Sequence, residues 1–205
     1  MIKEKLGNRL DGWIHAAFPF LFRRPVNPNL LTVTGVLVSL VAALAFACGA
    51  FPAAGILVLA GGFFDLIDGV VARHHGVSTR FGAFLDSTLD RLVDMALLLG
   101  IAMHFAQTGR SGGVLLAGTA LVAAVLVSYS KACAERVVRQ VAVGVLERGE
   151  RVVILAAGAI FNFLVLALWI VAIGSTITVI QRFAHAYREM EQIDADERVG
   201  LGERV

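Results

Sequence analysis

The sequence predicts an all-α integral membrane protein, with six transmembrane helices following an N-terminal amphipathic helix in the interface. Three observations predict it. Of 205 residues, 58% are hydrophobic and 17% charged, against about 45–50% apolar and about 25% charged in soluble domains. The apolar residues fall into long runs, and about 20 helical residues suffice to cross ~30 Å of hydrocarbon. The basic residues gather between alternate runs, as they do in loops that stay on the cytoplasmic side.

The elements follow in order. Residues 1–24 are read as an interfacial helix: Lys3, Lys5 and Arg9 precede Trp13, Phe18, Phe20 and Phe22, a pattern suited to the headgroup layer. Asp11 and His15 interrupt the apolar stretch, so it does not read as a signal peptide. Asn27, Pro28 and Asn29 break the chain, and a first span runs from Leu30 to about Cys48. After a tight uncharged turn at Gly49–Pro52, a second span rises from about Ala53, takes in Asp65 and Asp68, and ends near Arg73. A polar, basic loop at His74–Arg80 leads to the third, Phe81 to about Phe105, which carries Asp86, Asp90 and Asp94. The fourth runs from about Val114 to Lys131.

Beyond a charged stretch ending at Arg151, Val152–Ile180 contains no charged residue. As one helix it would be roughly 43 Å long, well over the hydrocarbon thickness. Basic residues flank it at both ends, and the positive-inside rule puts both flanks on one side, so it is read as a hairpin turning near Asn162. The six-helix core then covers 30–183 within a membrane domain of 1–188, with both ends inside. The charged tail 189–205 has little apolar face and is expected to fray. Net charge is only +2, and no basic stripe interleaved with aromatics suggests nucleic-acid binding. Cys48 and Cys133 fit neither a disulfide framework nor a metal spacing.

The acids are the unusual feature. Asp65 and Asp68 are three apart and Asp86 and Asp90 four apart, so on helices each pair shares a face. An acid within a span costs roughly 3 kcal/mol on insertion scales and usually marks a site. Four together repel unless a cation sits among them, and Mg²⁺ takes oxygen ligands of this kind. Asp94, one turn further on, reads equally as a second layer around that site or as a partner for Arg91.

Asp65, Asp68, Gly69, Ala72, Arg73, Gly82, Asp86 and Asp90 fit D-x2-D-G-x2-A-R-x8-G-x3-D-x3-D without departure, which resembles the signature of the CDP-alcohol phosphotransferase family. The resemblance implies transfer of a phosphatidyl group from CDP-diacylglycerol to an alcohol, with CMP released. It implies two Mg²⁺ or Mn²⁺ ions held by Asp65, Asp68, Asp86 and Asp90, with Asp90 also the catalytic base. Gly69, Arg73 and Thr79 would contact the CDP moiety. The segment NPNLLT resembles one placed near the cytidine, which adds Asn29, Leu30, Leu31 and Thr32; capping of the first span by Asn29 is an equally good reading.

The loops SYSKACAE (Ser128–Glu135) and LERGERVVIL (Leu146–Leu155), with Arg182, look like those of bacterial phosphatidylinositol-phosphate synthases. By that resemblance Lys131, Arg151 and Arg182 bind the phosphate of an acceptor such as inositol 1-phosphate; as plain topology residues they read almost as well. Two departures stand out: Gly149 where proline is common and Cys133 where arginine is usual. Glycerol 3-phosphate is the second choice of acceptor, and an ion-coupled transporter the main non-enzyme alternative. The same resemblance implies a homodimer in a bacterial cytoplasmic membrane, with the site facing the cytoplasm.

Overall fold

The computed structural model describes residues 28–75, 79–138, 141 and 143–202, with backbone only at 72, 73, 75 and 197–202. The expected interfacial helix over 1–24 lies outside these residues. Six helices are present among them: α1 Pro28–Ala47, α2 Phe51–His75, α3 Arg80–Gln107, α4 Ser111–Ala134, α5 Arg148–Ile160 and α6 Leu164–Gly202. The closely packed pairs are α1–α2, α2–α5, α5–α6, α6–α4, α4–α3 and α3–α1. They close a ring, in which α3 faces α2 and α5 without close backbone packing.

Small residues let the ring close. A Cβ at Gly61 of α2 would lie 2.1 Å from Ser39 Oγ of α1, and one at Gly100 of α3 would lie 2.2 Å from the Ala43 carbonyl oxygen. Close backbone approach of this kind replaces the hydrophobic drive that lipid cannot supply. Phe46, Leu97, Leu98, Ile101 and Leu168 fill the interior. Leu44, Leu99, Leu115, Leu166 and Trp169 point outward and are exposed, as lipid-facing side chains are.

Three hairpin turns share one design. At each, one residue takes the left-handed conformation: Gly49 (φ 78°), Gly109 (φ 70°) and Asn162 (φ 64°). The following amide then donates back to the helix it leaves, Ala50 to Ala45, Arg110 to Phe105 and Phe163 to Gly158, at 2.9, 2.8 and 2.7 Å. This is the Schellman closure, which satisfies carbonyls orphaned at a helix end. The third turn splits Val152–Ile180 into two helices, as the charge pattern led us to expect.

Among the described residues, four helices are long and apolar enough to cross a membrane: Pro28–Ala47, Phe51–Val71, Ser111–Ala134 and Leu164–Asp196. Helix α3 has 28 residues, but acids and Arg91 interrupt its first half. Helix α5 has only 13, roughly 20 Å of helix.

Two expectations need correction. Helix α1 begins at Pro28, so Asn29 lies inside the first turn and does not cap it; proline suits a helix start, having no amide to satisfy. The tail expected over 189–205 is not set apart from the last helix, because α6 continues to Gly202. Residues 189–198 are mainly strong helix formers, with no proline and no glycine before Gly200, and helix propensity outweighs the lack of an apolar face.

Candidate active site

Helix α2 delivers Asp65 and Asp68 near its C-terminal end, and α3 delivers Asp86 near its start. One carboxylate oxygen from each of the three comes within 4.8 Å of the others. Oxygens around a single Mg²⁺ at ~2.1 Å sit roughly 3–4 Å apart, so a small rotamer adjustment closes this set on an ion. Three hard anionic donors from two helices therefore fit a divalent cation. Asp68 is buried and receives a hydrogen bond from the Thr32 hydroxyl of α1 at 2.5 Å, which ties the NPNLLT segment to the acids.

Asp90 does not join that group of three. It pairs instead with Arg148, at the start of α5, at 2.9 Å, while the other arm of the same guanidinium reaches Asp65 at 2.8 Å. Arg148 thus forks across one carboxylate from each signature helix and offsets their repulsion. Arg148 lies in the charged stretch ending at Arg151 and was not among the residues expected at the site. The available signal was its spacing: Arg148 and Arg151 are three apart and share a helix face.

Asp94 is resolved in favour of the second layer. Its Oδ2 accepts from Arg151 Nη2 at 2.7 Å, and its Oδ1 lies 3.8 Å from Arg148 Nε. Arg91 donates instead to the Ser87 carbonyl on its own helix. One carboxylate therefore stands between two arginines one turn apart on α5.

The three cations expected for an acceptor phosphate come together. Lys131, Arg151 and Arg182 line a cavity of about 320 Å³ with Arg91 and Arg148; Glu135 and Glu147 are its acidic members. Arg182 is buried, donating from Nε to the Val143 carbonyl at 3.0 Å and from Nη1 to that of Val127. Lys131 is more exposed and lies 3.8 Å from Glu135. A second cavity, about 360 Å³, is lined mainly by apolar residues including Leu59, Phe63, Leu66 and Val153, with Asp65 and Arg148 also in its wall. Arg148 is thus common to both cavities.

The expected CDP contacts divide. Thr79 is the N-cap of α3, its hydroxyl accepting from the Gly82 amide at 2.9 Å, so the plain structural role is real. A Cβ at Gly82 would lie 3.1 Å from Thr79 Oγ1 and 3.4 Å from Asn29 Oδ1, so the start of α1 meets the start of α3 here. Leu30 is exposed, Gly69 is half-buried on α2, and the Arg73 side chain lies outside the described residues.

Comparison with known proteins agrees with this geometry. A family model described as CDP-alcohol phosphatidyltransferase matches residues 25–181. The chain is 42% identical to phosphatidylinositol phosphate synthase of Streptomyces avermitilis over 192 residues, covering 86% of this chain and 78% of that one. It is 38% identical to archaetidylinositol phosphate synthase of Pyrococcus horikoshii over 170 residues, covering 81% and 86%. The crystal structure of Mycobacterium tuberculosis phosphatidylinositol phosphate synthase with CDP-DAG bound superposes with a TM-score of 0.75 at 32% identity, over 87% of this chain and 94% of that one. The same enzyme in complex with manganese and citrate gives a TM-score of 0.76 at 32% identity, over 84% and 88%. The chain belongs to the CDP-alcohol phosphatidyltransferase family: it is an integral-membrane transferase of phospholipid synthesis with a divalent metal as cofactor.

Proposed function

We propose that this CDP-alcohol phosphatidyltransferase uses CDP-diacylglycerol as donor and inositol 1-phosphate as acceptor, releasing CMP. The observation that carries the reading is the cavity whose lining includes Lys131, Arg148, Arg151 and Arg182, joined through Arg148 to Asp65 and Asp90. Cations converging from α4, α5 and α6 suit a phosphate, because charge-assisted hydrogen bonds to an anion are the strong ones. Both named relatives, bacterial and archaeal, make an inositol phosphate lipid; their lipid parts differ, so the acceptor is what their names share.

Asp65, Asp68 and Asp86 would hold one divalent ion, with Asp90 joining Asp65 and Asp86 around a second. Bound there, a divalent ion would supply charge neutralisation for the pyrophosphate of the donor. Asp86, Asp90 and Asp94 lie on successive turns of one face of α3, and Asp90 is paired with Arg148, which stands in the wall of the cation-lined cavity. The Asp90 carboxylate takes the proton of the attacking acceptor hydroxyl. Asn29, Leu30, Leu31, Thr32, Gly69, Arg73 and Thr79 would receive the CDP moiety. A Thr79 hydroxyl that accepts from Gly82 still has its own proton to donate. The apolar cavity beside Asp65 would admit part of the donor's lipid, so lipid and water-soluble substrates would approach Arg148 from opposite sides.

In this reading all six helices belong to the membrane domain behind an interfacial N-terminal helix. The site opens to the cytoplasm of a bacterial inner membrane, and the protein works as a homodimer. Purified protein supplied with CDP-diacylglycerol and a panel of inositol 1-phosphate, glycerol 3-phosphate and serine tests the substrate assignment by lipid mass spectrometry. The expected product is phosphatidylinositol phosphate; a product formed only from glycerol 3-phosphate or serine overturns it. Single-cysteine labelling at position 190, on a background lacking Cys48 and Cys133, tests the sidedness, with protection from outside reagent expected.

A further inference from the structure

Arg148 and Arg151 lie one turn apart on the same face of α5, both with guanidinium groups largely out of water. Two like charges so placed repel and would share whatever anion lies nearest. Both line the polar cavity, but their carboxylate partners differ: Arg148 forks onto Asp65 and Asp90, while Arg151 bonds to Asp94 and stands in the cavity wall with Lys131 and Arg182. What separates them is Asp94. Its side chain is 10% exposed, Oδ2 is 2.7 Å from Arg151 Nη2, and Oδ1 faces Arg148 Nε at 3.8 Å.

Arg151 carries a second mark. Its side chain is 3% exposed, and Nη1 is buried with no hydrogen-bond partner among the described residues. A charged donor left unpaired in a dry setting is costly, so this guanidinium is held half-satisfied by a carboxylate that engages only its other arm. Arg151 lines the adjoining cavity, so a small turn of the guanidinium would let an anion bound there supply the missing acceptor.

We propose that Asp94, which lies outside the eight-residue signature, is the positioning residue of the acceptor site. It orients Arg151 toward the acceptor's anionic group and leaves Arg148 to the aspartates that face the donor. The proposal rests on the acceptor reading above. It makes Asp94 neither a metal ligand nor the catalytic base, and so predicts a selective defect.

The experiment measures CMP release by the full-length protein while varying inositol 1-phosphate, CDP-diacylglycerol and Mn²⁺ in turn. Asp94→Asn is expected to raise acceptor KM about tenfold or more, with donor KM and the Mn²⁺ half-saturation point within about twofold of wild type. Asp94→Glu, which keeps the charge on a longer arm, is expected to fall between the two, and it carries the test if the asparagine variant does not fold. In an Arg151→Lys background, Asp94→Asn should add little further loss, because both changes remove one contact. Acceptor KM within twofold of wild type in both Asp94 variants overturns the proposal. So does an equal rise for donor, acceptor and Mn²⁺ with a lowered melting temperature, which would make Asp94 merely structural. Failure of the acceptor reading is distinguishable: the wild type would then not turn over inositol 1-phosphate at all.

Discussion

The two ends of the helix ring are built on opposite principles. At the hairpin end, Gly49, Gly109 and Asn162 each turn the chain so that the helix's own carbonyls are satisfied by backbone amides. Nothing outside the chain is needed there. At the other end, Asp65, Asp90 and Asp94 meet Arg148 and Arg151, and Asp68 and Asp86 cluster with Asp65, largely across the gap that separates α3 from α2 and α5. That end stays together through charge pairs between distant segments, and a metal or a substrate phosphate can compete for each of them. The hairpin end gives the fold its shape, and the charged end trades local stability for a site that ligands can complete.

The largest effect that would break this comparison lies among the acids. Asp65→Asn, Asp68→Asn, Asp86→Asn and Asp90→Asn should each lower CMP release by at least about a hundredfold, the lower bound for loss of a general base. Excess EDTA should abolish turnover, and Mg²⁺ or Mn²⁺ should restore it. Near-normal turnover in Asp86→Asn would mean that the cluster does no chemistry. Next come the cavity arginines: Arg151→Ala or Arg182→Ala should cost about 1.5–3 kcal/mol of acceptor binding, roughly ten- to a hundredfold in acceptor KM, with donor KM nearly unchanged.

Arg148 sharpens the comparison. Arg148→Ala should destabilise the metal-free protein by about 2 kcal/mol, below the 3–5 kcal/mol of a fully buried pair because its carboxylate partners are 23–32% exposed. Added Mn²⁺ should then raise the melting temperature of the variant more than that of wild type, since a second cation takes the arginine's place. Equal shifts would show that Arg148 does not share the acids with metal. The smallest effect belongs to the hairpin end: Asn162→Ala should cost about 1 kcal/mol of stability for its left-handed backbone and leave turnover unchanged.

The difference also explains what could be read from the sequence. Turns, spans and the paired aspartates are local: glycine at a helix end, a charge-free run between basic flanks, or acids three and four residues apart each carry their meaning within a few positions. The hairpin at Asn162 and the acids of α2 and α3 were legible in that way, whereas the grouping of Lys131, Arg151 and Arg182, on three separate segments, was implied only by the family resemblance. The partners of the charges were not legible. Arg148 bonds to Asp65 across 83 residues and Arg151 to Asp94 across 57, and no local pattern says which cation meets which carboxylate. Asp94 was therefore left between two readings, and Arg148 was not among the expected site residues. The helix over 189–202 was missed for a different reason: its composition favours helix, but amphipathicity was taken as the deciding signal.

The most direct test of the charged end is whether its cavity requires a phosphate. Release of labelled CMP from CDP-diacylglycerol should be measured with inositol 1-phosphate and with free myo-inositol, side by side, in Mg²⁺. The geometry predicts rapid release with the phosphorylated alcohol and little above background with the free one. Equal or faster release with free myo-inositol would contradict it, leaving Lys131, Arg151 and Arg182 with no substrate group to bind.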